Sequence, residues 1–432
     1  MDNPIYPNVH KPSITLAEAL SLDIDSLDNI TICGRVMTKR HLGKLHFLTL
    51  QSRACSIQVL SRLDKTDNYD QLVRDINIGD LCCITGSIKL NENKLHRILE
   101  ANKVDIVTKC LRTMPSNWHG LKDIETRYKQ RYLDYIFNPE QQLLVIKRHQ
   151  LLVALRDFFN ERNFVEVETP YLHPLYGGAE AEPFYTHHNH TNQKLYLRIA
   201  PELYLKRLLV GGIDKVYEIG RNFRNEGVSL NHNPEFSAIE WYEAYADYND
   251  GRKTTEELLR KVSVELASDV FAGQFYTVSI EAEVKKLVGN YELSTESIQD
   301  FYSRHRLDHD CSTYEEYVMH AFDKLIAPTL IKPTFVVGYF SSLSHLARPN
   351  DQDPNYCDRW ELYVKGVEIA NCYSELNDPK MQRDNMGVVD EDYITALEYG
   401  MPSAVGVGLG TDRLLKILTN SYSIRDVISF TL

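Results

Sequence analysis

No apolar run in this 432-residue chain approaches the ~18–20 residues that a membrane-spanning helix needs. Its eight cysteines, at 33, 55, 82, 83, 110, 311, 357 and 372, include no CxxC pair. That spacing argues against a zinc site and against a disulfide framework, and a reducing, cytoplasmic compartment is the expectation. The opening MDNPIYPNVHKPSITLAEAL has neither the basic-plus-apolar build of a signal peptide nor the Arg/Ser bias of a transit peptide. Internal repeats and low-complexity tracts are missing as well. A formal net charge of −12 excludes indiscriminate binding to nucleic acid, but charge acts locally. Acid is absent from residues 29–63, which instead carry Arg35, Lys39, Arg40, Lys44, Arg53 and Arg62. Residues 1–110 hold 14 Lys and Arg against 13 Asp and Glu, so the acidic surplus lies entirely in the remainder.

What is present fits two domains, since the chain is too long for one core. The segments ITICGRVMTKR, KLHFLTLQ and CSIQVLSRL alternate in polarity and continue into DLCCITGSIKL and LHRILEANKVDIVT. With their Gly turns and one helical piece near 66–75, they predict a five-stranded OB barrel over residues 1–110. Its basic, aromatic-bearing face suits a single-stranded RNA loop, or is the solvated face of an ordinary barrel. Residues 111–140 read as a linker, with Pro115, Trp118 and Gly120 followed by the helical DIETRYKQRYLDY. Residues 141–432 form the second domain, with a mainly helical insertion at 251–330 (helical over 252–268 and 295–327).

The stretch VYEIGRNFRNEGVSLNHNPEFSAIEWYEAY, ending at Tyr245, reads as two alternating strands joined by a polar loop. Arg221, Arg224, Glu226, His232, Glu235, Phe236, Glu240 and Glu243 crowd onto this one hairpin. A sheet face avoids such charge unless it is paired, because unpaired buried charge costs several kcal/mol. A salt-bridged surface hairpin is one reading; a site for a triphosphate and a purine is the other. Arg224 can fork onto a phosphate, Glu226 can accept from an exocyclic amine, and Phe236 can stack on a base.

Far downstream lies GVGLGTDRLLKILTN, Gly406 to Asn420. A dinucleotide fingerprint would need a parallel βαβ unit and an acid about 20 positions on. The next acid after Asp412 is Asp426, at the start of a last short strand, so a strand whose glycines admit a ligand is the better reading. Arg413 then opens an amphipathic helix with Leu414, Leu415, Ile417 and Leu418 inward. An arginine there opposes the helix dipole, and a phosphate would explain it.

With these pieces the chain resembles the class II aminoacyl-tRNA synthetases. FRNE at 223–226 with the following HNPEF looks like motif 2, GLGTDR at 408–413 like motif 3, and FVEVETP at 164–170, after a helix at 142–162, like the motif 1 that lies at the family's dimer interface. RIAPELYLKRLLVGG at 198–212, IEWYEAYADY at 239–248, EIANCYSELNDP at 368–379 and GLKDIETRYKQRYLDY at 120–135 resemble the lysyl-tRNA synthetases specifically. The resemblance covers nearly the whole chain. It implies an α+β chain, an N-terminal OB-fold barrel followed by a class II catalytic domain built on an antiparallel sheet flanked by helices. It further implies a homodimer that activates lysine with ATP and charges tRNA(Lys). In the family an aromatic and a Gln of the barrel read the anticodon, and Phe47 and Gln58 fall at the matching places beside the basic Arg35 and Lys39.

Amino-acid activation is attack of a carboxylate on the α-phosphate of ATP with loss of pyrophosphate. It needs positioning and neutralisation of charge rather than a side-chain nucleophile. Arg224 and Arg413 are expected to clamp phosphates, with His232 on the triphosphate. Glu361 and Glu368 offer hard carboxylate oxygens for Mg²⁺. A lysine side chain demands carboxylates, and Glu240 and Glu375 are the candidates, flanked by Tyr242 and Tyr373. Glu202 and the backbone near Gly177 would hold the α-amino group, Arg224 the carboxylate, and Asn371 completes the set.

The chain departs from that family in places. Lys94 stands where a barrel acid is expected, and Glu182 replaces a basic residue. Cys372 replaces a small Gly or Ala and is expected to tighten the pocket wall. The segment 380–392 is short. Two other readings stay open: a ligase of this fold that adenylates lysine or an analogue without using tRNA, and a non-catalytic paralogue that binds RNA or amino acid.

Overall fold

The computed structural model describes residues 11–22, 26–90, 96–115, 121–289 and 293–431, so Lys94, Trp118 and Gly120 lie outside the described residues. The chain divides into two compact units, residues 1–144 and 145–431.

The first unit is a closed barrel of β1 (Ser26–Leu42), β2 (Leu45–Ser52), β3 (Cys55–Arg62), β4 (Leu81–Leu90) and β5 (Arg97–Thr108), in the order β1-β2-β3-β5-β4. Only the β3–β5 pair is parallel. Alternation turns Ile32, Leu48, Leu50, Ile57, Val59, Ile84 and Leu99 into the core, and a helix over Tyr69–Asp75 stands where helix was expected. Residues 124–137 form two short helices, Ile124–Lys129 and Arg131–Phe137, within the stretch expected to be a linker. The side chain of Gln51 donates to the carbonyl of Ile136 at 3.1 Å, and buried Arg131 pairs with Asp134 at 2.8 Å.

One pairing that the cysteine spacing does not suggest is present here. Cys33 of β1 faces Cys83 of β4 in register, and the two form a disulfide. Fifty residues separate them, and only closure of the barrel brings them together. Cys55, Cys82, Cys110, Cys311, Cys357 and Cys372 are free.

The second unit is built on β6 (Val165–Glu166), β7 (Leu172–His173), β8 (Tyr185–His188), β9 (Gln193–Leu197), β10 (Lys215–Phe223), β11 (Glu235–Ala244), β12 (Tyr276–Ser279), β13 (Thr334–Val337), β14 (Arg359–Val364), β15 (Val367–Ser374) and β16 (Ala404–Gly410). Eight of them form one sheet in the order β12-β13-β14-β15-β16-β11-β10-β6, while β7, β9 and β8 form a small second sheet. The large sheet is antiparallel except at its two edges, β12–β13 and β10–β6.

Its two faces have opposite chemistry because side chains alternate along each strand. Tyr217, Ile239, Trp241, Trp360, Leu362, Cys372, Val405, Val407 and Leu409 enter the main core. The helices Pro139–Asn160, Tyr248–Glu265 and Thr411–Leu418 cover that side with Leu155, Phe159, Leu258, Leu259, Val262, Leu414 and Leu415. Full burial of each such side chain contributes about 1.5–3 kcal/mol. The helix Tyr248–Glu265 therefore belongs to the central fold, and β12 extends its sheet. The region 251–330 is in that respect more than an inserted helical module. Its separate helices pack in their own cluster around Ile298, Tyr302, Val318 and Phe322. Ile424–Val427 is a short helix, not the expected last strand, and Ser423 caps it with Asp426 in a reciprocal capping box.

Candidate active site and nucleic-acid face

On the opposite face of the sheet, strand register assembles a site in rows. Glu218, Glu240, Gly408, Asn371 and Glu361 lie side by side across β10, β11, β16, β15 and β14. The next row is Val216, Tyr242, Gly406, Tyr373 and Arg359. A one-residue slip of any of these strands would send its row into the core, so the hydrophobic face enforces the register of the polar one. Gly406 occupies the one position in its row where a side chain cannot fit, because Glu375 and the ring of Tyr242 crowd onto it.

Above the rows lies a cavity of about 1150 Å³. Gly177, Glu202, Arg224, Glu226, His232, Phe236, Glu240, Tyr242, Glu361, Glu368, Asn371, Tyr373 and Arg413 all line it. Residues as far apart in the chain as Arg224 and Arg413 thus meet in one chamber. Glu375 is the exception, being absent from that lining. It is fully buried and makes an ion pair with Lys206 of the same chain.

The cavity has a cationic and an anionic end. Arg224 follows β10, its backbone N–H bonded to the carbonyl of Pro234 at 2.8 Å and its guanidinium 5.2 Å from the ring of Phe236. Its Nε is buried without a partner among the described residues. Arg413 donates to the backbone carbonyl of Glu368 at 2.8 Å and to its carboxylate at 3.0 Å, and to the carbonyl of Asn231 at 3.2 Å. These acceptors hold an arginine that the helix dipole disfavours at this position. Neighbouring Asp412 accepts from the N–H of Ser237 at 2.7 Å and pairs with Arg148 at 2.6 Å, locking helix to sheet. Burial and the nearby Arg413 hold His232 below the usual histidine pKa, and its Nδ1 is bonded to Ser229 Oγ at 2.8 Å.

Glu361 receives Arg359 at 2.6 Å and the Tyr363 hydroxyl at 2.9 Å. Burial and the neighbouring Glu368 push its pKa up. Arg359, which no sequence signal had singled out, also donates to Asn371 at 3.1 Å and to Ser344 at 3.0 Å. It therefore ties the Glu361 end to the Asn371 end.

At the anionic end, Glu240 is buried with the Tyr242 hydroxyl at 3.4 Å as its hydrogen-bond donor. Burial, then Glu202, raises its pKa to about 8. Glu202 is held by Lys206 at 2.6 Å and by the Tyr373 hydroxyl at 2.6 Å. Lys206 was also missed. Four residues after Glu202 on a helix, it reads in sequence as half of an ordinary surface i,i+4 pair.

Two expected departures resolve differently. Cys372 is not a pocket wall: between Asn371 and Tyr373 it points into the core, where it meets Gly251 of the covering helix. Glu182 is exposed, and its backbone carbonyl anchors the N–H of Asn225 at 2.8 Å.

In the barrel, Phe47 and Gln58 occupy the same outer face. Phe47 pairs with Leu60 and Gln58 with Thr49 across β2 and β3. Arg40 stands opposite Phe47. Arg35 and Lys39 are engaged locally instead, donating to the carbonyls of Gly79 and Ile76 at 2.7 Å each. Glu100, opposite Leu60, is an acid on this face and is held by Arg62 and Lys89, each at 3.3 Å.

Comparison with known proteins agrees with this geometry. Residues 123–432 match the family model of class II tRNA synthetases (D, K and N), and residues 30–107 match the OB-fold nucleic acid binding domain. The chain belongs to the class II tRNA synthetases. Within that class it is similar to curated lysine–tRNA ligases. It is 42% identical to that of Bacillus subtilis over 93% of this chain and 86% of the relative. It is 42% identical to that of Carboxydothermus hydrogenoformans (93% and 88%), and 42% identical to that of Staphylococcus aureus strain Mu3 (96% and 89%).

Proposed function

We propose that this chain is a lysine–tRNA ligase that uses ATP to form lysyl-adenylate and passes the lysyl group to the 3′ end of tRNA(Lys). The observation that carries the reading is Glu240, a buried carboxylate with no ion-pair partner among the described residues, in the same cavity as the unpartnered Nε of Arg224. An amino acid with a cationic tip satisfies both. Its side-chain ammonium would meet Glu240 beside Tyr242, with Glu375 behind. Glu202 and the backbone near Gly177 would take the α-ammonium, and Arg224 the carboxylate. One carboxylate oxygen attacks the α-phosphorus and pyrophosphate leaves. The terminal tRNA hydroxyl then attacks the acyl carbon, loses its proton and expels AMP. Arg413, Arg224 and neutral His232 would hold the phosphates, and Phe236 would stack on the adenine beside Glu226.

Glu361 and Glu368 form a donor set that suits Mg²⁺. Both are hard carboxylates, and with substrate phosphates they make an open site of the kind magnesium prefers. Among the described residues no three His, Cys, Asp or Glu side chains cluster as a self-sufficient metal cage. When bound, the ion would neutralise phosphate charge.

A homodimer and a cytoplasmic location belong to the same proposal. Val145, Ile146 and Val153 of the long helix, with Val165 of β6, are exposed apolar residues around the motif 1 segment, where a second copy would cover them. No helix of the described residues is long and apolar enough to cross a membrane. Tests of ATP–pyrophosphate exchange across the twenty amino acids, followed by tRNA charging, decide the activity. Exchange dependent on lysine alone with charging of tRNA(Lys) is expected. Exchange without charging of any tRNA would move the chain to the tRNA-independent ligases, and no exchange at all to the non-catalytic paralogues.

A further inference from the structure

Lys206, on the helix Glu202–Val210, is fully buried, and its ammonium lies between two recognition carboxylates. It reaches Glu202 at 2.6 Å and contacts Glu375 directly. The Tyr373 ring centroid is 5.6 Å away, and Tyr393 packs nearby as a further neutral neighbour. Burial alone would depress the pKa of Lys206, but Glu202 and Glu375 hold it well above the ordinary lysine value, so the group is a permanent cation.

The charges around it can be tallied. Glu202, Glu240 and Glu375 act on one another through space. Lys206 faces two of them. Arg198 and Arg224 also act on Glu240 through space, but Arg198 is matched by Glu218 at 2.5 Å and Arg224 is assigned to the substrate carboxylate. Once Glu240 ionises, three carboxylates face one ammonium, and two further positive charges are needed to match them in a site where bare charge is costly. A free lysine carries two ammonium groups.

We propose that Lys206 is a positioning residue for substrate selection: a resident ammonium that holds Glu202 and Glu375 in place and leaves the pocket short of as many positive charges as lysine brings. This inference rests on the lysine-activating reading above. An amino acid with a neutral side chain supplies one ammonium and leaves the Glu240 carboxyl without a cationic partner. Without Lys206, Glu202 and Glu375 lose the cation that fixes them, and recognition of both ends of the substrate loosens together.

Pyrophosphate exchange by the full chain tests this. Lys206→Met is expected to raise KM for lysine about a hundredfold, the loss typical of breaking a buried ion pair, with KM for ATP within about threefold of the parent. Lys206→Ala vacates the ammonium's space, so added ethylammonium is expected to recover lysine use in that variant and not in the parent. Equal rises in both KM values, or no recovery by ethylammonium, overturn the proposal and leave Lys206 a structural ion pair. Should Lys206→Met not fold, Lys206→Arg carries the test. Its retained charge keeps KM for lysine within about tenfold, and a loss as deep as that of Glu240→Gln overturns the inference. Glu240→Gln is also the control for the underlying reading. If it leaves lysine use unchanged, that reading fails; if it impairs lysine use while the Lys206 variants behave as structural, only this inference fails.

Discussion

Glu240 and Arg413 show how surroundings that the sequence does not display set the chemistry of single side chains. Burial with Glu202 nearby raises the Glu240 carboxyl to about 8, so at pH 7 the ligand-free protein holds it mostly protonated. Binding an ammonium requires the ionised form. KM for lysine is therefore expected to fall as pH rises from 6 towards 8 and then level off, and Glu240→Gln should abolish that slope. The stability consequence has the opposite sign. Because the folded pKa lies above the ordinary 4.5, the folded state keeps a proton the unfolded state releases, and this contribution is lost as pH climbs through about 8. Chemical denaturation at pH 6 and pH 9 should show it, with a smaller difference in Glu240→Gln. Arg413→Ala should reduce the rate of amino-acid activation by roughly 10²–10³-fold, the cost of losing a preorganised charge partner at a transition state, while circular dichroism stays unchanged. Exchange at the parental rate would remove Arg413 from the site.

At the scale of elements, alternation on five neighbouring strands separates the chemistry from the core. Cys372 illustrates the consequence. A residue between two pocket residues on a strand must face the other way, so its thiol packs under the helix Tyr248–Glu265 rather than beside the substrate. A Cβ at Gly251 would lie 2.8 Å from Cys372 Sγ and 2.7 Å from a methyl of Val405. Gly251→Ala is thus expected to cost about 1–3 kcal/mol of stability through overpacking. Adding Cys372→Ala should return part of it, because one of the two collisions disappears. A thermal-melt double-mutant cycle measures the coupling, and strict additivity would place the two residues apart. Cys372→Ala alone should leave the choice between lysine and bulkier analogues unaltered.

For the whole molecule, the cavity proposed for activation and the barrel face proposed for RNA lie in separate compact units, which makes the two proposals separable by mutation. Phe47→Ala and Gln58→Ala are expected to raise KM for the accepting tRNA about fivefold to a hundredfold, as lost base stacking is worth roughly 1–3 kcal/mol. Pyrophosphate exchange should not change. A drop in exchange would show that barrel damage reaches the catalytic unit. Covering the apolar residues around motif 1 predicts a dimer near twice the 49.9 kDa chain mass by light scattering; a monomer at micromolar concentration contradicts the interface.

Much of this was legible in the residues themselves. Alternating polarity marked β10, β11 and the barrel strands because burial of one face imposes a period of two. The crowding of Arg224, Glu226, His232, Phe236 and Glu240 on one hairpin marked a site because bare charge does not persist on a sheet without a purpose. Tertiary structure alone decided the rest, since those features depend on which residues become neighbours across the sheet or barrel. The Cys33–Cys83 bridge needs barrel closure, the inward thiol of Cys372 needs the covering helix, and the reach of Arg359 needs two strands in register and the Ser344 turn folded against them. Lys206 is the clearest case. Its identity and its spacing from Glu202 are those of a surface pair, and only burial against Glu375 makes it an internal counter-charge, because the energy of a charge is set by its surroundings rather than by its place in the chain.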